Sequence, residues 1–291
     1  MGFSMKTALV GAAAAALVTA GLTAGSASAA DDHWGNWRDK NLTVVGLAKQ
    51  GTSLVTFDTD RPGRTRNAVQ ILGLAGDAFL VGIDYRVQDT KLYGVGNNGG
   101  IYMLDPRSGR ATAENRARIP VDGSAAYGVD FNPAADALRV ITANGQNFRQ
   151  PFATPSATVI DAALTRPAVP PATGSVPATG LTGAAYTNND LDPATATTLF
   201  DLDTERDQVT IQSPANAGTT SPTGALGVDF GLDSGFDIYS MVRGGKAVEL
   251  FPYAVSNGVL YEIDLLSGAA SSEGRIGDRT VTDIAIPLNQ L

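Results

Sequence analysis

The chain has 291 residues, 43% hydrophobic and 17% charged, a composition that suits a packed globular core and excludes a disordered chain. Asp and Glu outnumber Lys and Arg by 29 to 21, for a formal net charge of −8, and no basic run offsets the excess, so nucleic acid is not an expected partner. With no Cys and a single His, His33, the sequence argues against disulfides, a Cys nucleophile, a Ser-His-Asp triad and a His-ligated zinc or iron site.

Residues 1–30 read as an export signal: Lys6, an apolar run from Ala8 to Leu22, then small residues ending in Ala27-Ser28-Ala29. The run is mostly Ala and Gly and precedes an Ala-x-Ala site, which fits cleavage better than a retained anchor. A secreted or cell-envelope protein with no stable membrane span is therefore expected. Residues 31–41 form an N-terminal extension carrying His33, Trp34 and Trp37, and residues 42–291 are expected to make one domain.

That domain opens with the strand TVVGLA (Thr43 to Ala48) and the segment LVTFDTDRPGRT from Leu54, which alternates apolar residues and then places Asp58 at a turn. The same frame returns three times, in IYMLDPRSGRAT from Ile101 with Asp105, in LFDLDTERDQVT from Leu199 with Asp203, and in LYEIDLLSGAAS from Leu260 with Asp264. Each reads as a β-hairpin, because alternation buries one strand face and Asp bonds the backbone two residues on. A poorer copy, FRQPFATPSATV from Phe148, lacks the Asp and Gly turn residues.

Between the hairpins lies a second element with the signature Gly-x-Asp-aromatic: VGIDY ending at Tyr85, YGVDF ending at Phe131 and LGVDF ending at Phe230. Degenerate members are TGAAY ending at Tyr186 and VTDIA ending at Ala285, and further strands such as KLYGVG (Lys91 to Gly96) and ALRVIT (Ala137 to Thr142) link the two elements. Two stretches break the pattern, near 151–183 and near 213–224; both are rich in Thr, Pro and small residues and are expected as exposed loops.

Three or four short strands recurring every ~45 to 60 residues signal an all-β protein of the β-propeller type, because one twisted sheet must stack on its neighbours to bury its faces. Five blades are expected, with six as the alternative, since the stretch from Gly231 to Val259 has room for more strands. The N-terminal segment supplies no inner strand, whereas the C-terminus ends on a lone one, Val281 to Pro287. The last strand is thus expected to complete the first blade and close the ring.

Taken together, GVDFNP with RV and GQNFR downstream, AAYTNND before TTLFDLD, and LGVDFGLDSGFDI resemble the family named domain of unknown function 4394, over roughly Leu42 to Pro287. The resemblance implies a secreted or surface-exposed bacterial protein and carries no catalytic or binding residue with it.

Candidate sites therefore rest on the residues themselves. Asp84, Asp130, Asp229 and Asp283 occupy matching places on inner strands, where they either converge to hold Ca²⁺ or bond backbone N–H groups within and between blades. Ala184-Ala185 leaves any such ring of acids incomplete. The Asn-rich turns Asn97-Asn98-Gly99-Gly100, Asn144-Gly145-Gln146-Asn147 and Asn188-Asn189-Asp190 suit positive backbone φ and also offer amides to a ligand; Gln146, Asn147 and Arg149 exceed what a turn needs. Asp233 and Asp237 make half of an oxygen-rich loop whose spacing does not fit an EF-hand. Three functions follow: a non-catalytic binding propeller for a small polar ligand, glycan or envelope protein; a calcium-supported hydrolase of lactone or ester type; or a structural component of the cell envelope.

Overall fold

A computed structural model describes residues 41–117, 126–152, 157–192 and 194–291. The signal segment, His33, Trp34 and Trp37 lie outside the described residues. In chain order the strands are β1 (Thr43–Ala48), β2 (Ser53–Asp58) and β3 (Arg61–Gln70); β4 (Leu80–Tyr85), β5 (Leu92–Gly96), β6 (Gly100–Leu104) and β7 (Ala111–Arg116); β8 (Tyr127–Asn132), β9 (Ala137–Thr142), β10 (Asn147–Pro151) and β11 (Val159–Ile160). They continue as a small hairpin, β12 (Thr165–Pro167) and β13 (Ser175–Pro177), then β14 (Leu181–Tyr186), β15 (Leu199–Asp203), β16 (Gln208–Gln212) and β17 (Thr220–Ala225). The last are β18 (Ser234–Arg243), β19 (Lys246–Ser256), β20 (Val259–Ile263), β21 (Ala270–Arg275) and β22 (Val281–Ala285).

These strands form five four-stranded antiparallel blades: β22-β1-β2-β3, β4 to β7, β8 to β11, β14 to β17 and β18 to β21, numbered here as blades 1 to 5. The inner strands β22, β4, β8, β14 and β18 neighbour one another in a closed cycle, so the fold is a five-bladed β-propeller. Closure is as the sequence predicts: β22 pairs antiparallel with β1, setting Asp283 opposite Leu47 and Ala285 opposite Val45.

Position within a blade decides composition. The second strands β5 (LYGVG) and β9 (ALRVIT) are buried at every residue because blades cover both their faces, and apart from Arg139 in β9 they carry no charge. The outermost strands β7 (ATAENR) and β21 (ASSEGR) face water and carry charge, which protects their unpaired edges. The recurrent hairpin Asp works as expected: one oxygen of Asp105 accepts the Arg107 N–H at 2.9 Å, and one of Asp264 accepts those of Leu266 and Ser267 at 2.9 Å.

Three expectations are corrected. LGVDF is not an inner strand: Leu226 to Phe230 lies in a bend, where Gly227 takes φ +76°, the Asp207 carboxylate accepts the Phe230 N–H, and the Phe230 ring packs on Tyr261. The inner strand of blade 5 is β18, whose long hairpin with β19 fills the stretch that left room for a sixth blade. Residues 213–224 are not all loop, since Thr220 to Ala225 pair with β16 and give blade 4 its fourth strand. The stretch 151–183 likewise contains β11, the β12–β13 hairpin and the start of β14.

Ring closure rests on the last few residues, and their removal tests it. A chain ending at Asp278 lacks β22, the inner strand of blade 1, and is expected to lose its cooperative thermal transition by circular dichroism and to elute as aggregate in size-exclusion chromatography.

Candidate functional site

Five inner strands around one axis crowd their backbones together, and two residue layers show the result. In the first layer stand Gly82, Gly128, Gly183 and Gly235, with Asp283 in the fifth place. A Cβ on Gly82 would lie 2.3 Å from the Val129 side chain, and one on Gly235 would lie 2.3 Å from the Asp283 Cα, so side chains are excluded by space. Two residues further along each strand, the second layer holds Asp84, Asp130, Ala185, Asp237 and Ala285.

Each axial carboxylate is committed to the next blade. Asp283 Oδ2 accepts the Ile83 N–H at 2.8 Å, Asp84 Oδ2 accepts that of Phe131 at 2.7 Å, and Asp130 Oδ1 accepts that of Tyr186 at 3.0 Å. Asp237 Oδ2 closes the circuit by accepting the Ile286 N–H at 2.6 Å. The missing tie, from blade 4 to blade 5, falls where Ala185 replaces the acid. There Asn189 donates its N–H to Ser240 Oγ at 3.0 Å and its Nδ2 to the Ile238 carbonyl at 3.2 Å, while the Asp190 carboxylate accepts the Ala247 N–H at 2.8 Å.

All four axial acids are buried. Burial pushes the Asp84, Asp130 and Asp283 carboxyls well above the usual carboxylate range and that of Asp237 up to about 7; repulsion by Asp237 adds to the effect at Asp84, Asp130 and Asp283. One oxygen from each of Asp84, Asp130 and Asp237 lies within 4.8 Å of the others, a donor set of hard oxygens whose type fits a cation such as Ca²⁺. Another buried acid, Asp201 on β15, faces blade 3 with neither oxygen hydrogen-bonded, and burial raises it well above the ordinary range despite nearby Arg139.

Of the sequence candidates, Asp84, Asp130 and Asp283 come together on the axis. Asp229 does not: it is exposed in the bend described above. Its place belongs to Asp237, which the sequence marks through Gly235-Phe236-Asp237, the same Gly-x-Asp spacing as Gly82-Ile83-Asp84. Gln146, Asn147 and Arg149 lie around the seam of blades 3 and 4. Asn147 is buried, accepts Arg139 Nη1 at 2.7 Å and donates to the carbonyls of Ala162 and Ala215 at 3.0 Å, and Arg149 Nη1 donates to Asp161 at 2.9 Å. Gln146 donates its N–H to Thr142 Oγ1 at 3.0 Å. Asn188 takes φ +61° as a turn residue, and its Nδ2 donates to the Ala196 carbonyl.

The axis also has a mouth that the sequence did not reveal. On the face where the connectors reach the inner strands, a recess of about 150 Å³ is lined by Gln50, Phe79, Val81, Tyr127, Leu232 and Asp233, among others. Val81 and Tyr127 precede Asp84 and Asp130 by three residues, which puts the mouth roughly 10 Å along the strands from the acids. Leu232 is 64% exposed at its edge.

The raised carboxyls fix the sign of a pH effect. In the unfolded chain they titrate near about 4, so between that pH and their folded values the native state holds more protons, and stability falls as pH rises. For Asp237 the window runs from about 4 to about 7. Asp237→Asn, whose amide oxygen still accepts from Ile286, is expected to flatten the decline between pH 4 and 7 by on the order of a few kcal/mol. Denaturant unfolding of both proteins across that range measures it, and superimposable profiles would refute the assignment.

The chain is similar to the glutaminyl cyclase of Myxococcus xanthus, at 15% identity over 75% of this chain and 76% of that one, with a TM-score of 0.39. It is also similar to auxiliary nutrient binding proteins from Bacteroides thetaiotaomicron VPI-5482 (13% identity, 70% of this chain and 50% of that one, TM-score 0.39) and Bacteroides ovatus ATCC 8483 (13%, 76% and 56%, TM-score 0.40). The chain spans about half the length of these two proteins. No curated protein matches the sequence. A family model does, across residues 53–285, and the chain therefore belongs to the family described as Domain of unknown function (DUF4394).

Proposed function

We propose that this chain is an exported, non-catalytic binding propeller that takes a small polar ligand, such as a sugar unit of a glycan, at the mouth of its axis. The observation that carries the reading is the make-up of the mouth: Phe79 and Leu232 offer apolar and aromatic surface above the buried Tyr127, with Gln50, Asp233 and Thr282 beside them as polar partners. Such a mixture matches the alternating faces of a polyol. The axial acids favour binding over catalysis, because each already accepts a backbone N–H from the neighbouring blade and serves as a tie. The export signal read in residues 1–30 accords with a ligand met outside the cytoplasm.

A second reading rests on the three carboxylates of Asp84, Asp130 and Asp237, whose spacing suits a hard cation. Those residues would hold the ion, which would supply Lewis-acid polarisation for the ester or lactone chemistry considered from the sequence.

Two measurements separate the readings. A thermal-shift screen against mono- and oligosaccharides is expected to yield stabilising hits that weaken at least tenfold in Leu232→Asp, a surface change that spares the core; hits unaffected by that variant would move the site elsewhere. Calorimetric titration with Ca²⁺ is expected to give no heat at millimolar concentration. Micromolar binding abolished in an Asp130→Asn, Asp237→Asn double variant would instead establish the cation reading.

A further inference from the structure

A second recess lies on the connector side of blade 1, next to the link from blade 5. It has a volume of about 260 Å³ and is lined by Lys49 and Thr52 of the β1–β2 turn, Ser53 at the start of β2, Ala68, Val69 and Gln70 at the end of β3, and Arg279 of the β21–β22 connector. No acidic residue lines it. Lys49 and Arg279 both line it without an ion-pair partner among the described residues, so no carboxylate neutralises either charge there.

Two polar atoms at this recess are enclosed and unmatched. Ser53 is 5% exposed, and its Oγ makes no hydrogen bond. The Arg279 Nε is likewise shielded from solvent and finds no acceptor. The rest of the Arg279 side chain is only half-buried, but an enclosed Nε–H without an acceptor is costly, because the desolvation of that donor goes uncompensated. What the recess lacks is an acceptor carrying negative charge.

We propose that this recess is an oxyanion-binding site, in which an incoming carboxylate or sulfate group accepts from Arg279 Nε and Ser53 Oγ while Lys49 neutralises it at the open side. A charge-assisted pair of this kind satisfies both unmatched atoms at once. The recess is larger than the anion itself, and Ala68, Val69 and Gln70 leave room for the body to which the anion is attached, as in an acidic sugar. The site is separate from the axial mouth and does not depend on it.

The test is calorimetric titration of the full mature chain with sodium sulfate, sodium phosphate and sodium glucuronate in a low-ionic-strength buffer free of other oxyanions. Saturable binding by at least one of the three is expected, weakened at least tenfold in Arg279→Gln and in Lys49→Gln and unchanged in the axial variant Leu232→Asp. Preference for glucuronate over the inorganic ions assigns an acidic sugar, and preference for sulfate a sulfated one. Both Lys49 and Arg279 lie outside the strands, so the two variants should keep the wild-type melting temperature, which controls for folding. No saturable heat from any of the three anions at tens of millimolar, or equal binding by wild type and both variants, overturns the proposal.

Discussion

The structure depends on a carboxylate accepting a backbone N–H from the strand beside it, repeated around an axis. A propeller's inner strands splay apart from one another and cannot form a continuous ladder, so their inward N–H groups need acceptors from another source. Here Asp283, Asp84, Asp130 and Asp237 supply them, and at the one junction without such an acid Asn189 and Asp190 take over. The cost is that four carboxyls share a narrow, dry space. Glycine at the layer beside Asp283 is the geometric condition for this, because any side chain there would displace either the neighbouring strand or the carboxylate.

Much of the ring was legible in the sequence because repetition writes the same physics several times. The hairpin Asp at 105, 203 and 264 marks a turn whose backbone needs an acceptor, whereas Asp58 in the same frame accepts from the Thr43 and Arg66 side chains, and the apolar runs of β5 and β9 mark strands covered on both sides. The lone final strand correctly announced closure. The misreading at Leu226 to Phe230 is equally physical: Gly-Val-Asp-Phe occurs there letter for letter as in Gly128 to Phe131, yet only the latter is followed by a partner strand able to fix it as extended. The true inner strand, SGFDIY, keeps the Gly-x-Asp core but puts Ile before its aromatic residue.

Other parts of the site leave no local trace. That Asp283 sits one layer away from the other acids follows from the register of β22 against β1, which no spacing within VTDIA encodes. Arg139 looks from the sequence like a stray charge in an apolar strand. In the fold it ties Asn147, Asp161 and Asn216 together across the seam of blades 3 and 4, a set gathered from segments up to 77 residues apart. The mouth at Phe79, Tyr127 and Leu232 and the recess at Ser53 and Arg279 are likewise products of convergence between blades, which is why both escape a reading made one segment at a time.

The pairing of β22 with β1 joins the first strand of the ring to the last, and this has a consequence for biogenesis. Synthesis runs from the N-terminus, so blades 2 to 5 can assemble while blade 1 still lacks its innermost member, leaving the free side of β1 uncovered until β22 emerges. The nascent protein is thus open to mispairing along β1 until β22 docks and Asp283 accepts the Ile83 N–H of blade 2.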